Sequence, residues 1–252
     1  MLYAERAELI MQQLQLQSTV KVGELSQLLH VSVDTIRRDL KSMEQQGLIK
    51  YIHGGACLPE TLTPFLNFTG RQIVNSDLKR EASRKALSFI KEGDVVALNS
   101  GTTNMILSQE LVALNKEITV VTNNYAAINI LLQSDAIHLI AIGGEMDSLE
   151  RSTYGTTCEK EFSQYYPDIA FLSINAVNYS DGFTDFRFKE MGIIQLLAKT
   201  SKQTIVVMDS GKLGKRSKKR VLLGEQVNAV VMDDNLSNDI RKKYKESGIV
   251  IL

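Results

Sequence analysis

The sequence predicts a mixed α/β protein in which a small helical segment precedes a larger α/β segment. Residues 1–56 contain three short helical patterns and then an alternating stretch that ends in a glycine pair. From residue 77 onward, helical patterns alternate with short apolar runs, which is typical of a mostly parallel sheet. With 252 residues, 44% of them hydrophobic and 23% charged, the chain can bury a sizeable core.

The amino-terminal segment is predicted to form one domain over residues 1–57. Its helical patterns cover residues 4–15, 22–29 and 33–46, and "LIKYIHGGA" then alternates apolar and polar residues, as a small hairpin or wing does. Residues 58–76 hold two of the three prolines and show no clear period, which indicates a linker or an ordered connector.

The second domain is predicted over residues 77–252. Its strands are short apolar runs that alternate with helical patterns, and this order favours parallel strands joined by helices. The predicted strands are 95–99, 118–123, 137–144, 169–175 and 204–209.

Composition excludes several classes of protein. The 29 Lys and Arg residues cancel the 29 Asp and Glu residues, so net charge predicts no polyanion partner. No stretch approaches the roughly 18 apolar residues of a membrane span, and we expect a cytoplasmic protein. The two cysteines and three histidines, Cys57, Cys158, His30, His53 and His138, lack metal-site spacing, so no metal, cofactor or Ser-His-Asp triad is predicted.

The stretch "VSVDTIRRDL" predicts a helix that begins at Val33 behind the capping residue Ser32. At 100° per residue, Ile36, Leu40 and Met43 share the buried face. Asp34, Arg38, Lys41 and Gln45 then lie on the opposite face, with Arg37 at its edge and Asp39 near the apolar side, where we expect a structural role.

An outward face of arginines near a helix amino terminus suits the major groove of DNA. The alternative is a solvated helix face, and charge does not choose between the two, because residues 1–58 contain six cations and six anions. The order of three helices, a capped third helix and a glycine-rich wing favours DNA binding.

The segment "STVKVGELSQLLHVSVDTIRRDLKSMEQQGLIKYIHGGA" resembles the winged helix-turn-helix domain of the DeoR family of bacterial repressors. Its "TIRRDL" and "HGGA" parts are the most distinctive. The resemblance implies that the following residues face double-stranded operator DNA: Ser32, Thr35, Arg37, Arg38 and Lys41 on the helix, with His53, Gly54 and Gly55 in the wing. Because one such module buries little surface, we expect a homo-oligomer, a dimer or a tetramer.

A second motif, "NSGTTN" at residues 99–104, follows a predicted strand and opens a predicted helix. Free backbone amides and threonine hydroxyls at a helix amino terminus form an anion pocket. The spacing matches neither GxGxxG nor GxxxxGK[ST], and a simple strand-to-helix turn is the alternative. Asn123 and the pair Gly143-Gly144 end two other strands at the same expected edge, and Lys212 offers a cation unless it is a surface lysine.

The segments "GTT", "VVTNN", "IGGE" and "DSGKLG" resemble the sugar-phosphate sensor domain of DeoR-type regulators, whose Rossmann-like fold is similar to ribose-5-phosphate isomerase. The resemblance implies a phosphorylated sugar as effector. It differs at Asn99, where the family commonly has Asp, and at Ile194, where it often has Lys, so we expect the sugar rather than the ligand class to vary. The implied effector-binding residues are Asn99, Ser100, Gly101, Thr102, Thr103, Asn123, Gly143, Gly144, Asp181 and Lys212.

The function predicted from these motifs is a repressor of a sugar-utilisation operon that a phosphorylated sugar releases from operator DNA. Two alternatives remain: a DNA-binding regulator whose sensor takes no ligand, and a sugar-phosphate isomerase with Asp181, Asp185 or Glu190 as base. The basic run "KLGKRSKKR" at residues 212–220 follows a predicted strand and is typical of a solvated loop.

Overall fold

A computed structural model describes residues 1–17, 19–52, 54–58 and 68–252. Within it the chain forms two compact units, Met1–Ser76 and Asp77–Leu252. His53, which was predicted to lie in the wing, and residues 59–67 of the predicted connector lie outside the described residues.

The first unit is a set of helices packed on a small antiparallel sheet with strand order β1-β3-β2. Strand β1 was not predicted from the sequence; it pairs with β3 and brings the wing against the start of α2. The elements are α1 (Tyr3–Gln17), β1 (Thr19–Lys21), α2 (Val22–Leu29), α3 (Val33–Gln45), β2 (Lys50–Ile52), β3 (Gly55–Cys57) and α4 (Phe68–Ile73).

One apolar cluster holds these helices together. Ile10 and Leu14 of α1, Leu25 of α2 and Ile36 and Leu40 of α3 all lie in it and are almost completely buried. Because these side chains recur at helical spacing, each helix turns one stripe inward and leaves its polar face to solvent.

The described end of the predicted connector is ordered within the first unit. Helix α4 covers Phe68–Ile73, and Val74 packs against the apolar cluster of this unit. The backbone N–H and the hydroxyl of Ser76 both donate to Glu8 of α1, at 3.1 and 2.7 Å.

The second unit is built on a parallel sheet with strand order β14-β12-β9-β4-β5-β6. A small antiparallel sheet, β10-β11-β13, and a hairpin, β7-β8, are added to it. Its elements are α5 (Ser76–Ala86), β4 (Val95–Leu98), α6 (Thr102–Leu114), β5 (Ile118–Thr122), α7 (Tyr125–Leu131), β6 (Ile137–Ala141), β7 (Glu145–Asp147), β8 (Ser152–Tyr154), α8 (Thr156–Phe162), β9 (Ile169–Leu172), β10 (Ala176–Asn178), β11 (Gly182–Asp185), α9 (Met191–Thr200), β12 (Gln203–Val207), β13 (Lys219–Leu222), β14 (Ala229–Val231) and α10 (Asn238–Glu246).

Helices cover both faces of the parallel sheet. Successive residues of β4 point to opposite sides, so Val96 and Leu98 pack with α5, α6 and α7, whereas Ala97 packs with α8, α9 and α10. A strand buried on both faces needs apolar residues at every position, which explains the continuous apolar runs in the sequence. The predicted α/β fold with an amino-terminal helix-turn-helix is confirmed.

The parallel strands end along one edge of the sheet, and the polar residues predicted to bind an effector follow β4, β5, β6 and β12 there. Ligands of open parallel sheets bind at this edge. Among the described residues, no helix is both long enough and apolar enough to cross a membrane.

Candidate functional site

Helix α3 begins at a side-chain cap. The backbone of Ser32 is extended, and its hydroxyl accepts a hydrogen bond from the backbone N–H of Thr35 at 3.2 Å. The turn from α2 is equally well defined: His30 lies in the left-handed region at φ 52°, and the Ser26 hydroxyl donates to the Val31 carbonyl at 2.6 Å. The orientation of α3 therefore follows from local bonds as well as from packing.

The exposed face of α3 carries the cations that the sequence predicts there. Ile36, Leu40 and Met43 are fully buried, whereas Arg37, Arg38 and Lys41 are exposed. Arg37 bonds to Asp34 at 3.2 Å, and Arg38 Nε donates to the Asp34 carbonyl at 3.4 Å. Both contacts are solvent-exposed, so the two arginines lose little free energy when they give them up and bind a phosphate or a base edge instead.

Asp39 braces the helices of the first unit. Its carboxylate accepts from Arg6 Nε at 2.6 Å and from Arg6 Nη2 at 2.9 Å, with both side chains largely buried. The hydrogen bond to Asp39 raises the pKa of Arg6 above its ordinary value. Asp39 is thus tied to α1 and does not belong to the exposed face of α3.

The wing packs on the start of α2. Gly54 has φ 79°, and its carbonyl accepts from the N–H of Val22 at 2.9 Å. At Gly55, a Cβ atom would collide with the carbonyl oxygen of Val20, so only glycine fits where β3 passes β1. The two glycines explain why the chain can turn so tightly after β2.

At the carboxyl end of β4, the amino terminus of α6 leaves its backbone amides available. The N–H groups of Gly101, Thr102, Thr103 and Asn104 have no hydrogen-bond partner within the described part of the chain. The buried hydroxyl of Thr103 also lacks one. Because the helix dipole adds positive potential to free amides, this turn is an anion cradle.

Gly101 makes the cradle possible. It precedes α6 with φ 124° and ψ 159°, a conformation that is essentially restricted to glycine. A Cβ atom here would lie 2.5 Å from the hydroxyl of Ser173 and 3.0 Å from Arg187 Nη1. The side-chain amide of Asn124 holds the Gly101 carbonyl at 3.0 Å and fixes the turn from β5.

The side chain of Asn99 links the end of β4 to the end of β9 through two hydrogen bonds. Its Oδ1 accepts from the N–H of Ser173 at 2.8 Å, and its Nδ2 donates to the Ser173 carbonyl at 3.1 Å. An ionised aspartate has no hydrogen to donate in the second bond. The asparagine therefore suits a strand-to-strand role, and these contacts do not support the predicted role of its side chain in effector binding.

Glu190 connects the ends of three segments beside the cradle. It accepts from the N–H of Ser100 at 3.3 Å, from Asn123 Nδ2 at 2.9 Å and from the hydroxyl of Ser152 at 3.2 Å. Burial raises the pKa of Glu190, although Arg187 and these donors oppose the shift. The sequence offered Glu190 only as a base for the isomerase alternative.

Arg187 is a buried cation at the same place, and sequence reasoning missed it. It donates to Ser100 O and Oγ at 2.9 and 3.0 Å and to the Ser173 carbonyl at 2.7 Å. Burial disfavours its charge, but Asp185 outweighs burial and holds the pKa of Arg187 above its ordinary value. Asp185 balances this buried charge, and the remaining donors of Arg187 hold Ser100 and Ser173 in place beside the cradle.

Asn123 has an acceptor to spare. Its Nδ2 hydrogens go to the Thr153 carbonyl at 2.7 Å and to Glu190, which fixes the orientation of the amide. Its Oδ1 is buried and has no partner in the described ranges of the chain. This oxygen can accept a hydrogen bond from a ligand hydroxyl.

The structure brings only some of the predicted effector residues together. Ser100, Gly101 and Asn123 are joined through Arg187, Glu190 and Asn124, as described above. Lys212 Nζ donates to the Ile174 carbonyl at 3.1 Å, just beyond β9.

The remaining predicted residues make other contacts. Gly143 donates to Glu161, and a Cβ on Gly144 would lie 2.6 Å from the Tyr154 carbonyl, so this pair serves the turn between β6 and β7. Asp181 accepts from Asn178 and faces Arg216 in the small sheet. None of the contacts recorded for these residues joins them to the cradle, although all three stay predictions as ligand-binding residues. Ile194, where the family often has Lys, is fully buried in the core around α9.

Glu190→Gln tests the electrostatics of this cluster. The pKa of Glu190 is raised, so the folded state binds its proton more tightly than the unfolded state does. The stability of the wild type, relative to the glutamine variant, is therefore expected to fall as pH rises from near the ordinary pKa of 4.5 through the raised value. Thermal unfolding across this window measures it, and the exposed Glu225→Gln is the control; a flat difference for Glu190→Gln would contradict the account.

Both units match models of known domains. The DeoR-like helix-turn-helix domain matches residues 6–61, and the DeoR C terminal sensor domain matches residues 74–234. The first range contains α3 and the wing, and the second contains the cradle.

Curated relatives match along most of their length. The chain is 28% identical over 251 residues to the putative aga operon transcriptional repressor of Escherichia coli O157:H7, covering 99% of this chain and 93% of that protein. It is 30% identical over 214 residues to the HTH-type transcriptional repressor GlcR of Bacillus subtilis strain 168, covering 84% and 81%. Among solved structures, it is similar to ribose 5-phosphate isomerase A of Methanocaldococcus jannaschii, with a TM-score of 0.42 and 19% identity over 55% of each chain.

The sensor-domain match alone spans more than half of the chain, and the helix-turn-helix match covers most of the first unit. The chain belongs to the DeoR family of DNA-binding transcriptional regulators.

Proposed function

We propose that this protein is a cytoplasmic repressor of a sugar-utilisation operon that binds operator DNA through α3 and the wing. A phosphorylated sugar binds at the amino end of α6 and releases the protein from DNA. The names of two relatives support repression of an operon, since one is called an aga operon repressor and the other a transcriptional repressor.

The cradle carries the effector half of the proposal. The free amides at the start of α6 and the unpartnered Thr103 hydroxyl favour an anion with several acceptor oxygens. Asn123 Oδ1 supplies an acceptor nearby, which an inorganic anion would leave unused. A ligand with both a phosphate and hydroxyl groups would bond to the free donors at the start of α6 and to the Asn123 acceptor together.

The exposed face of α3 supports the proposal that this protein binds DNA. Arg38 and Lys41 project from a helix whose opposite face is fixed in the core, so α3 presents a rigid surface to the groove. Residues 1–58 contribute six cations and six anions, which makes a single copy a weak binder. We therefore propose a homo-oligomer that reads repeated half-sites.

The contacts of the carboxylates disfavour the isomerase alternative. Asp185 accepts from Arg187 at both oxygens, at 3.0 and 2.7 Å, and from the N–H of Asn175 at 3.0 Å. Glu190 accepts from three donors. A general base needs a lone pair free to take a proton from substrate, and the contacts of Asp185 leave it none, while Glu190 uses three of about four lone pairs for bonds within the protein.

The effector must bind the DNA-incompetent state more tightly for release to occur. A typical coupling free energy of about 1 to 3 kcal/mol would change operator affinity roughly 5- to 150-fold. A regulator with a ligand-blind sensor would show no coupling.

Calorimetric titration of the full chain tests the ligand class. The panel contains phosphorylated sugars, the same sugars without phosphate, and inorganic phosphate. We expect one or a few sugar phosphates to bind, the parent sugars not to bind, and inorganic phosphate to bind weakly. Equal binding of a sugar with and without its phosphate would contradict an effector site at α6.

A further inference from the structure

We infer that the sensor unit carries a second surface for duplex DNA, formed by β13 and the turn before it. Five exposed cations, here called the basic strip, lie within six residues: Lys215, Arg216, Lys218, Lys219 and Arg220. No acidic residue occurs between residues 210 and 224. The inference rests on the proposed function, because it takes DNA to be the polyanion that this protein binds.

The basic strip is anchored to the fold, contrary to the solvated loop that the sequence suggests. The N–H of Gly214 donates to the Tyr244 hydroxyl at 2.9 Å, and Asn178 Nδ2 donates to the Lys215 carbonyl at 3.2 Å. The N–H of Ser217 donates to the Thr184 hydroxyl at 2.8 Å. Tyr244, Asn178 and Thr184 are all buried, so these anchors belong to the core of the unit.

The second half of the basic strip is part of a sheet. Lys219 pairs with Asp185 and Arg220 with Thr184 across the β11-β13 ladder. A backbone fixed in this way loses little conformational entropy when its side chains bind a partner. Lys219 and Arg220 are therefore pre-organised on an edge strand, in which the backbone advances about 3.3 Å per residue.

Most of the charge in the basic strip is not neutralised internally. Lys215, Lys219 and Arg220 have no ion-pair partner among the residues that the structure describes. Arg216 lies 3.7 Å from Asp181, and both the guanidinium and the carboxylate remain partly exposed. On the neighbouring α10, Lys243 stands 4.1 Å from the centroid of the Tyr179 ring and adds a further cation.

Duplex DNA fits this surface better than a small anion does. The cations are exposed along an edge and are not gathered around a cavity, so each can meet a separate phosphate of a polymer. The module that carries α3 has no excess positive charge, so phosphate contacts made by cations elsewhere on the chain would add to the salt-dependent part of the affinity. The basic strip supplies that charge.

A matched pair of charge variants of the full chain tests the inference. The strip variant carries Lys215→Gln, Lys218→Gln, Lys219→Gln and Arg220→Gln. The dispersed variant carries Lys91→Gln, Lys160→Gln, Lys199→Gln and Lys242→Gln, which removes the same charge from exposed positions spread over the unit. Binding is measured by fluorescence anisotropy across a salt series, with a duplex from the protein's own upstream region and with a duplex of scrambled sequence.

The strip variant is expected to bind both duplexes more weakly, with a salt slope shallower by about 2 to 4 because each lost phosphate contact removes roughly 0.9 from it. The dispersed variant is expected to keep the wild-type slope within about 1. Equal slopes for the two variants would overturn the inference, as would tighter binding of polyglutamate than of duplex DNA. A charge-conserving variant, Lys215→Arg with Lys218→Arg and Lys219→Arg, should retain the wild-type slope, and thermal unfolding of the strip variant excludes a folding defect.

The same measurement separates this inference from the proposed function. Arg38→Ala should lower binding of the upstream duplex more than binding of the scrambled one, whereas the strip variant should lower both alike. If the Arg38 effect appears and the strip effect does not, only the second surface is wrong. If wild-type protein binds neither duplex, both the proposed function and the second surface are wrong.

Discussion

Replacement of Gly101 by alanine is expected to abolish the effector response while leaving DNA binding in place. The added Cβ atom would lie 2.5 Å from the Ser173 hydroxyl and 3.0 Å from Arg187 Nη1. Neither neighbour can withdraw easily, because Arg187 is buried and bonded to Asp185, Ser100 and Ser173. The turn between β4 and α6 must therefore shift, and the free amides at the start of α6 shift with it.

The expected loss is large because several contacts fail together. The strained backbone costs about 1 to 3 kcal/mol by itself. Misdirecting the amides that bind a charged ligand should lower effector affinity roughly 100-fold or more, about 2.7 kcal/mol. Calorimetry with the effector and anisotropy with the upstream duplex measure the two activities separately.

Gly93→Ala is the matched control. Gly93 also has a positive φ, at 80°, but a Cβ atom there would have no neighbour within 4 Å. It places a side chain at a positive φ in the same unit without a collision. If Gly93→Ala and Gly101→Ala lose effector affinity equally, the loss reflects stability and the cradle is misplaced.

Arg38→Ala is expected to weaken operator binding by about 1 to 3 kcal/mol, roughly 5- to 150-fold, and to leave effector binding unchanged. Arg38 is exposed on α3, and its contact to the Asp34 carbonyl is long, at 3.4 Å, so the side chain can exchange it for DNA. If the arginine meets a phosphate, the salt slope should also fall by about 1. Anisotropy at several salt concentrations measures both quantities.

The control for Arg38→Ala is Lys199→Ala, which removes an exposed cation from the end of α9. It should leave affinity for the upstream duplex close to that of the wild type. Unchanged affinity and salt slope for Arg38→Ala would show that α3 does not read the operator.

Local features of this fold could be read from the sequence because local chemistry determines them. Ser32 caps α3 through a neighbour three residues away, and the apolar runs of the parallel strands reflect burial on both faces of the sheet. Gly101 was expected in the turn after β4, since a glycine and two threonines at the start of a helix have a local signature.

The charged cluster behind the cradle could not be read in the same way. Arg187 and Glu190 reach Ser100 across 87 and 90 residues, and no periodicity reports a contact at such separation. The segment "GFTDFRFKEM" mixes four charged residues with apolar ones, and nothing in it marks which of them are buried. The bonds between Asn99 and Ser173 also span 74 residues. The sequence therefore did not show the structural reason for an asparagine in place of aspartate.

The sequence also failed to predict the shortest strands. The strands missed were β1, β7, β8, β10, β11, β13 and β14, which have three or four residues each, too few to establish an alternating pattern. In β13 the basic residues hide the strand further, because Lys and Arg are expected in loops. Pairing with β11 and anchors from buried residues determine that strand.

The most direct test of the central claim is anisotropy binding of the full protein to duplex DNA from its own upstream region, at fixed salt, with and without a panel of phosphorylated sugars. We expect specific binding that one sugar phosphate releases, together with binding by Gly101→Ala that the same sugar phosphate does not release. Specific binding that no sugar phosphate changes, or release of Gly101→Ala as readily as of the wild type, would contradict an effector site at the amino end of α6.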